Sequence, residues 1–465
     1  MQLSLYDTMS RKLCPILPSD GTTLRFYCCG PTVYGPAHIG NFRTFVMQDL
    51  FRRVVEMTGT PTRHVRNLTD VDDKTILRSQ AENQTLATFT RQWTGRFHRD
   101  CAELNLLPPH IEPSAVAHIP DQIALIEKLL SKGHAYVAND KSVYFNTASF
   151  PQYGALSRLN ERSITTGSGR LSQDEYERES AADFALWKSY RPDDGENSWH
   201  SPWGQGRPGW HIECSAMSMK HLGESFDLHS GGVDLIFPHH ENEIAQSEAA
   251  TGKPFVQHWF HIAHLLVDGR KMSKSLGNLH TLADLRNRGY SANELRYVLM
   301  SGTYRQPLNF TFASLAAARK AISRLGLLHQ RLGGDPGYLL PAPEGFGVFL
   351  PVVEALCDDL NSAEALGRLF TITRKITADL DADRCSQAQC EQYQHGFALV
   401  LHLFGIILSP NHEGEAPPWV HALAAERLHA RRHKDWHNAD LLRVQLANSG
   451  WQVSDSTDSY TLYPL

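Results

Sequence analysis

Thr22-Thr23-Leu24-Arg25-Phe26-Tyr27-Cys28-Cys29-Gly30-Pro31, then Ala37-His38-Ile39-Gly40-Asn41 and the run from Phe42 to Met57, decide how the 465-residue chain is read. Residues 22–29 favour a pleated strand, and Gly30-Pro31 is a turn signal that ends it. Phe42, Phe45, Leu50 and Val54 recur at helical spacing, and Pro61 through Thr69 reads as a second strand. Strand, glycine-bearing loop, helix and strand make a βαβ unit. Such a unit implies a parallel sheet whose ligands sit at the carboxyl ends of its strands. Asp70-Val71-Asp72-Asp73 opens the next helix, where carboxylates suit the positive end of the helix dipole.

The pattern changes between about Pro108 and Asn197. A helix near Asp121–Lys132, short strand-like pieces at Ala135–Val137 and Val143–Phe145, and a polar stretch from Ser163 to Glu179 read as an insertion. The α/β pattern is expected to resume at Trp199–Gly209, with a strand at Phe226–His229, a loop at Ser230-Gly231-Gly232 and a helix from His239. His258–Val267 reads as a further strand leading to Lys271-Met272-Ser273-Lys274-Ser275. Beyond residue 310, Leu315, Ala318, Ile322, Leu325 and His329 begin a helical region, with further helices expected over 349–360, 363–378 and 387–408. Ser409–Pro418 reads as a linker to a last module with helices near 422–430 and 438–448 and a strand-like end at 461–463. The expected division is therefore 1–107 and 198–310 as two halves of one α/β domain, 108–197 as its insertion, 311–408 as a helical bundle and 409–465 as a terminal module.

Bulk composition excludes several classes. Hydrophobic content of 42% and charged content of 20% describe a globular chain rather than a disordered one. No apolar run approaches the roughly 18 residues of a membrane span, and Met1–Asp7 has neither a basic start nor a long apolar core, so a cytoplasmic protein is expected. Eight cysteines are too sparse for a disulfide scaffold. Cys14, Cys101, Cys357, Cys385 and Cys390 show no ligand-like pattern, which leaves Cys28, Cys29 and Cys214. The net charge of -5 gives no global pull toward nucleic acid, although local basic surface can still meet phosphates.

Three stretches carry chemistry. In Phe237-Pro238-His239-His240-Glu241-Asn242-Glu243, a helix starting near His239 puts His239 and Glu243 at i and i+4, within reach of one metal ion; a buried helix start with satisfied polar groups is the plainer alternative. Thiolates from Cys28-Cys29 and from Cys214 would complete a mixed S, N and O set of the kind zinc accepts. His38-Ile39-Gly40-Asn41 stands at a loop-to-helix junction, where backbone N–H groups favour phosphate. Lys271 and Lys274, on a loop of small residues, could follow a phosphate chain and stabilise charge that grows in a transition state.

A His-Ile-Gly element after the first strand, with Lys-Met-Ser-Lys-Ser some 230 residues later, resembles the signature pair of class I aminoacyl-tRNA synthetases. Adding Cys28–Tyr34, Trp210-His211-Ile212-Glu213-Cys214-Ser215 and Phe237–Ile244 makes the chain similar to the bacterial cysteinyl-tRNA synthetase family from residue 2 to about residue 451. The resemblance implies a Rossmann-like catalytic domain with an insertion, a helical bundle and a small C-terminal anticodon-binding module. It implies one zinc held by Cys29, Cys214, His239 and Glu243, with Cys28 facing the other side of its strand. It places His38, Gly40, Asn41 and Lys274 on ATP, which arrives with Mg2+, and makes Lys274, Lys271 and His38 the catalytic set. Asn41 departs from the histidine usual at the second position of this motif. Thr69, Trp210 and His229 are expected to line the cysteine pocket and Asp234 to hold the ammonium group.

The implied activity is that of a monomeric ligase joining L-cysteine to tRNA(Cys) through cysteinyl-adenylate. Arg427, Arg431, Arg432, Lys434 and Arg443, interleaved with Trp436 and histidines, are the expected anticodon contacts. Two other readings are a ligase joining cysteine to an amino sugar and a catalytically silent tRNA-binding paralogue. The helical region and tail after residue 310 speak against the first, and the intact Lys271–Ser275 motif against the second.

Overall fold

The computed structural model describes residues 2–159, 183–273, 276–336, 343–408, 418–448, 451–455 and 459–464. It separates into one unit of Met1–Arg324 with Asp335–Ile407 and a second of Leu325–Gly334 with Leu408–Leu465.

The first unit is built on four parallel strands: β1 (Leu24–Cys28), β2 (Thr62–Arg66), β3 (Phe226–Gly232) and β4 (Val256–Ile262), in the order β4-β3-β1-β2. Phe26 pairs with His64 of β2 on one side and Leu228 of β3 on the other. Helix α1 (Ile39–Met57) follows β1, and its apolar stripe, including Phe42, Val46, Leu50 and Val54, is fully buried. Helices α2 (Trp210–Leu222) and α3 (Glu241–Thr251) supply the second half of the domain. Both edges of the sheet are covered, which blunts the exposed ladder an edge strand would otherwise offer. Beside β4, Thr8 donates to the carbonyl of Trp259 at 3.0 Å, and the amide of Trp259 donates to Asp7 at 2.9 Å. Beside β2, Arg66 and Leu68 donate to the carbonyls of Ile111 and Pro113.

Two sequence readings are corrected here. Ser230-Gly231-Gly232 is not a loop: β3 continues through it, with Gly231 opposite His261 and Gly232 opposite Ile262. A fully buried ladder of backbone hydrogen bonds overrides the turn preference of a glycine pair. Trp199–Gly209 does not resume the α/β pattern either. Trp199–Ser201 and Gly204–Pro208 join Phe184–Ser189, Val143–Phe145 and Ala135–Val137 in a five-stranded antiparallel sheet. Its core includes Phe145, Phe184 and Trp187, and the α/β pattern returns only with α2. The polar stretch 163–179 lies outside the described residues.

Two buried guanidinium groups tie distant segments together. Arg43, in the second turn of α1, donates to four carbonyls, those of Ala263, Leu299, Thr303 and Gln306, at 3.0–3.1 Å. Arg296 is also fully buried and donates to the carbonyls of Phe404 (2.6 Å) and Leu104 (2.8 Å) and to the carboxylate of Asp49. Asp49 also accepts from Arg53 and from the amide of Leu107, both at 2.7 Å. This network joins α1 to the end of the helix Gln387–Phe404. Other helices after residue 310 are Phe312–Arg331, Leu350–Cys357 and Ser362–Asp381.

The second unit contains helices Pro418–Arg432 and Trp436–Asn448 and a hairpin of Trp451–Asp455 with Tyr460–Pro464. Val420, Ala424 and Leu446 form its small core, with Trp451 and Leu462 packed on it. Of the expected linker Ser409–Pro418, residues 409–417 lie outside the described residues and Pro418 opens the helix Pro418–Arg432.

Candidate metal centre and nucleotide site

Cys29 follows β1 directly, its amide donating to the carbonyl of Ser230 at 3.1 Å. Cys214 comes from the second turn of α2, and Glu243 from the first turn of α3. His239 belongs to a wide turn, Ile236–His240, that precedes α3, so the regular helix begins two residues later than the sequence suggests. Pro238, which has no backbone N–H to give, stands in that turn. Even so, His239 Nε2 is 3.0 Å from Glu243 Oε1. The ligand atoms of Cys29, Cys214, His239 and Glu243 all lie within 4.8 Å of one another, and all four residues are buried. Cys28 is buried too but belongs to neither candidate metal group, and burial pushes its thiol up.

Buried charges in this cluster are poised for a cation. Burial works against an imidazolium at His239, yet Glu243 and the Cys214 sulfur overcome it and raise His239 to about 10. Burial likewise favours a neutral Glu243, but His229 and His239 hold it at about 2. The Cys214 thiol, which burial alone would raise, is brought down to about 6 by a hydrogen bond from Cys29 and by His239, against the opposing charge of Glu243. Burial and then Cys214 push Cys29 well up. Carboxylate, imidazole and thiolate donors of this kind suit a borderline-soft divalent cation, and its uptake would release the protons that remain.

A second donor set shares Cys29 and Glu243 but replaces Cys214 and His239 with His229 and His240. The carboxylate of Glu243 is divided between the two, Oε1 toward His239 and Oε2 toward His229, each at 3.0 Å. The sequence reading missed His240 as a participant, although it adjoins His239.

Among the expected substrate residues, the Trp210 ring lies 4.2 Å from that of His239 and His229 is fully buried with its Nδ1 unpartnered. Thr69 is buried beside the Gly30–Tyr34 loop, donating its amide to Pro31 at 3.1 Å, and its hydroxyl accepts from Asn67 at 3.1 Å. Asp234 is exposed, and its charge acts on His38.

The nucleotide motifs adjoin one another. His38 caps α1: its Nδ1 accepts from the amide of Asn41 at 3.2 Å, and Asn41 Oδ1 accepts from the amide of His38 at 3.1 Å. Asn41 therefore works here as one half of a capping box. Burial lowers the pKa of His38, with Asp234 opposing. Met272 Sδ is 3.0 Å from where a side chain on Gly40 would begin, and Ile39 donates to the carbonyl of His280 at 2.9 Å. Asn278 spans the intervening loop, accepting from the Ser273 amide at 2.9 Å and donating to the Lys271 carbonyl at 3.2 Å. Lys271 is exposed; Lys274 and Ser275 lie outside the described residues.

In the second unit, Arg432, Lys434, Trp436 and Arg443 are exposed, whereas Arg427 is 8% exposed. No described helix is long and apolar enough to cross a membrane.

A family model for the class I (C) tRNA synthetase catalytic domain matches residues 16–320, a DALR domain model matches 351–409, and a model for the cysteinyl-tRNA ligase anticodon binding domain matches 413–459. A cysteine–tRNA ligase of Opitutus terrae is 53% identical over 474 residues, spanning 100% of this chain and 99% of the relative. One of Chlamydia muridarum is 44% identical and spans 98% of each. The methionyl-tRNA synthetase of Mycobacterium tuberculosis, solved in complex with methionyl-adenylate, shares the fold with a TM-score of 0.59 at 14% identity, covering 82% of this chain and 89% of its own. The catalytic-domain match and the full-length identity together establish that the chain belongs to the cysteine–tRNA ligase family.

Proposed function

We propose that the chain activates L-cysteine with ATP and transfers it to the 3′ end of tRNA(Cys). The observation that carries this reading is the buried Cys29, Cys214, His239 and Glu243 cluster, set at the carboxyl ends of the strands from which the His38-capped helix also starts. Zinc held by these four would supply a preference for thiolate over hydroxyl, which shape alone enforces only about a hundredfold. Trp210, His229 and Thr69 shape the pocket for the amino acid, and the exposed carboxylate of Asp234 meets its ammonium group.

ATP, as its Mg2+ complex, lies with its phosphates on the first turn of α1 near His38, Gly40 and Asn41. The substrate carboxylate attacks the α-phosphorus and pyrophosphate leaves. Lys271 and Lys274 stabilise the charge that grows on the departing group, so no protein nucleophile is needed. The adenylate then acylates the terminal ribose of the tRNA. Arg431, Arg432, Lys434 and Arg443, with Trp436, present phosphate contacts and a stacking surface for the anticodon. A cytoplasmic, monomeric enzyme belongs to the same reading; its eight free cysteines are consistent with a reducing compartment.

Neither the amino-sugar ligase nor the silent paralogue gains support: the anticodon-binding match extends to residue 459, and the full-length relatives are cysteine–tRNA ligases. Incubation with ATP, radiolabelled cysteine and total tRNA tests all three. Acid-precipitable label is expected; cysteine-dependent pyrophosphate exchange without precipitable label, or no exchange at all, refutes the reading.

A further inference from the structure

A chain of three hydrogen bonds leads away from one of the metal-directed side chains. His240 Nε2 lies 3.3 Å from the Cys29 sulfur, His240 Nδ1 is 2.7 Å from His261 Nε2, and His261 Nδ1 is 2.7 Å from Thr8 Oγ1. Both imidazoles are buried, and Thr8 is half-buried just after the short strand Ser4–Asp7, beside β4. Packing fixes both rings. His240 lies so close to the backbone of Gly231 that a Cβ there would meet its ring at 2.8 Å. The Trp259 indole lies within 5.1 Å of His240 and stacks on His261 at 6.1 Å and 5°. The function proposed above uses His239 and leaves these residues unexplained.

The polarity of the chain follows from its end point. A ligating thiolate can only accept a hydrogen bond, and a neutral imidazole donates from one nitrogen and accepts at the other. With a thiolate at Cys29 and neutral rings, His240 must donate from Nε2 and accept at Nδ1. His261 must then donate from Nε2 and accept at Nδ1, and the hydroxyl of Thr8 must donate. Every link is determined once the first is set.

We propose that His240 and His261 are positioning residues that hold an N–H on the Cys29 sulfur and so draw charge out of that thiolate. A less basic protein thiolate leaves more of the cation's acceptor capacity for the sulfur of the substrate. The proposal rests on the zinc reading of the Cys29, Cys214, His239 and Glu243 set.

The test uses the full-length protein with cobalt(II) in place of zinc, because sulfur-to-cobalt charge transfer reports on the thiolate directly. Wild-type protein should show that band; its absence would sink the zinc reading itself, and this proposal with it. In His240→Phe the band should move to lower energy, since the sulfur lone pairs lose their stabilising N–H. KM for cysteine in pyrophosphate exchange should rise about tenfold, with kcat changed less than about twofold. His240→Gln, which can return an N–H to the sulfur, should restore both. Thr8→Val should move the band the same way by a smaller amount, although it lies three hydrogen bonds from the sulfur, and it carries the test alone if His240→Phe does not fold. An unmoved band in both variants, with cobalt retained, would overturn the proposal. So would loss of cobalt from His240→Gln, which would make His240 a ligand.

Discussion

Replacing Gly405 by alanine tests how α1 is anchored to the helical region. Gly405 ends the helix Gln387–Phe404 with φ of 60° and ψ of 26°, a left-handed conformation in which a side chain costs about 1 kcal/mol. An ideal Cβ at that position would also overlap the guanidinium of Arg296. Arg296 cannot retreat freely. It is buried, and it holds the Phe404 carbonyl at 2.6 Å, the Leu104 carbonyl at 2.8 Å and the Asp49 carboxylate. Hydrogen bonds to charged groups contribute about 1.5–3 kcal/mol each, and disrupting a buried ion pair costs about 3–5 kcal/mol. Gly405→Ala should therefore destabilise this junction by about 4–6 kcal/mol in all.

In an Arg296→Met background the overlap with the guanidinium is gone, and only the backbone cost of about 1 kcal/mol should remain. Their difference, a coupling of roughly 3 kcal/mol or more, is the quantity to measure. Amide hydrogen exchange along Gln387–Phe404 reports it as a local opening free energy, without requiring the whole chain to unfold in one step. A cost near 1 kcal/mol in both backgrounds would show that Arg296 is not held as described.

Four further outcomes can be measured. Cys29→Ser should cost the protein its metal while Cys28→Ser retains it, measured by metal analysis after dialysis; the reverse pattern would assign the ligand to the wrong cysteine. Lys274→Ala should collapse cysteine-dependent pyrophosphate exchange with metal content unchanged, and undiminished exchange would remove its catalytic role. Asn41→Asp keeps the oxygen that accepts from the His38 amide but adds a negative charge where ATP phosphate is expected. Thermal stability should hold or rise slightly while KM for ATP rises about tenfold, a cost of about 1.4 kcal/mol; a drop in stability would contradict the cap. His64 is buried, stacks on Phe26 at 4.4 Å, and has its pKa held well below the usual value by burial and by Arg66 and Arg52. Its neutral form is the folded one, so its contribution is complete above pH 6.5 and is lost as pH falls below that, by up to about 1.4 kcal/mol per unit. Denaturant titrations should show His64→Phe less acid-sensitive than wild type between pH 6.5 and 5, and an identical slope would refute the assignment.

How much the sequence discloses varies with the range of the interaction. The βαβ unit is legible because Phe42, Phe45, Leu50 and Val54 repeat at the helical period between two apolar strands. His239 and Glu243 are legible for the same local reason, since their spacing is a turn of helix and they meet at 3.0 Å. Gly231-Gly232 misleads because its strand conformation is imposed by ladders to His261 and Ile262, not by local preference. Trp199–Gly209 misleads because strand signals do not say which sheet will receive them. Arg427 joins a basic run in sequence, yet the structure buries it. His240 is hidden differently. Its partners, Cys29 and His261, lie in separate segments far from it in sequence, Thr8 reaches it only through His261, and the ring beside it in sequence has a metal-ligand spacing of its own.

Arg43 has a consequence of its own. It carries a buried charge caged by four carbonyls, and among the described residues no carboxylate lies within ion-pair distance of it. Burial lowers its pKa to about 10, so it stays cationic near neutrality. Such a charge stands two residues beyond Asn41, yet mobile ions cannot surround it as they do the exposed Arg432, Lys434 and Arg443. Screening weakens solvent-exposed charges far more than enclosed ones, and counterion release makes nucleic-acid binding steeply dependent on salt. Rising ionic strength should then weaken the contacts that Arg432, Lys434 and Arg443 make with phosphates while leaving the hold of Arg43 on its four carbonyls, and the anchoring of α1, unchanged.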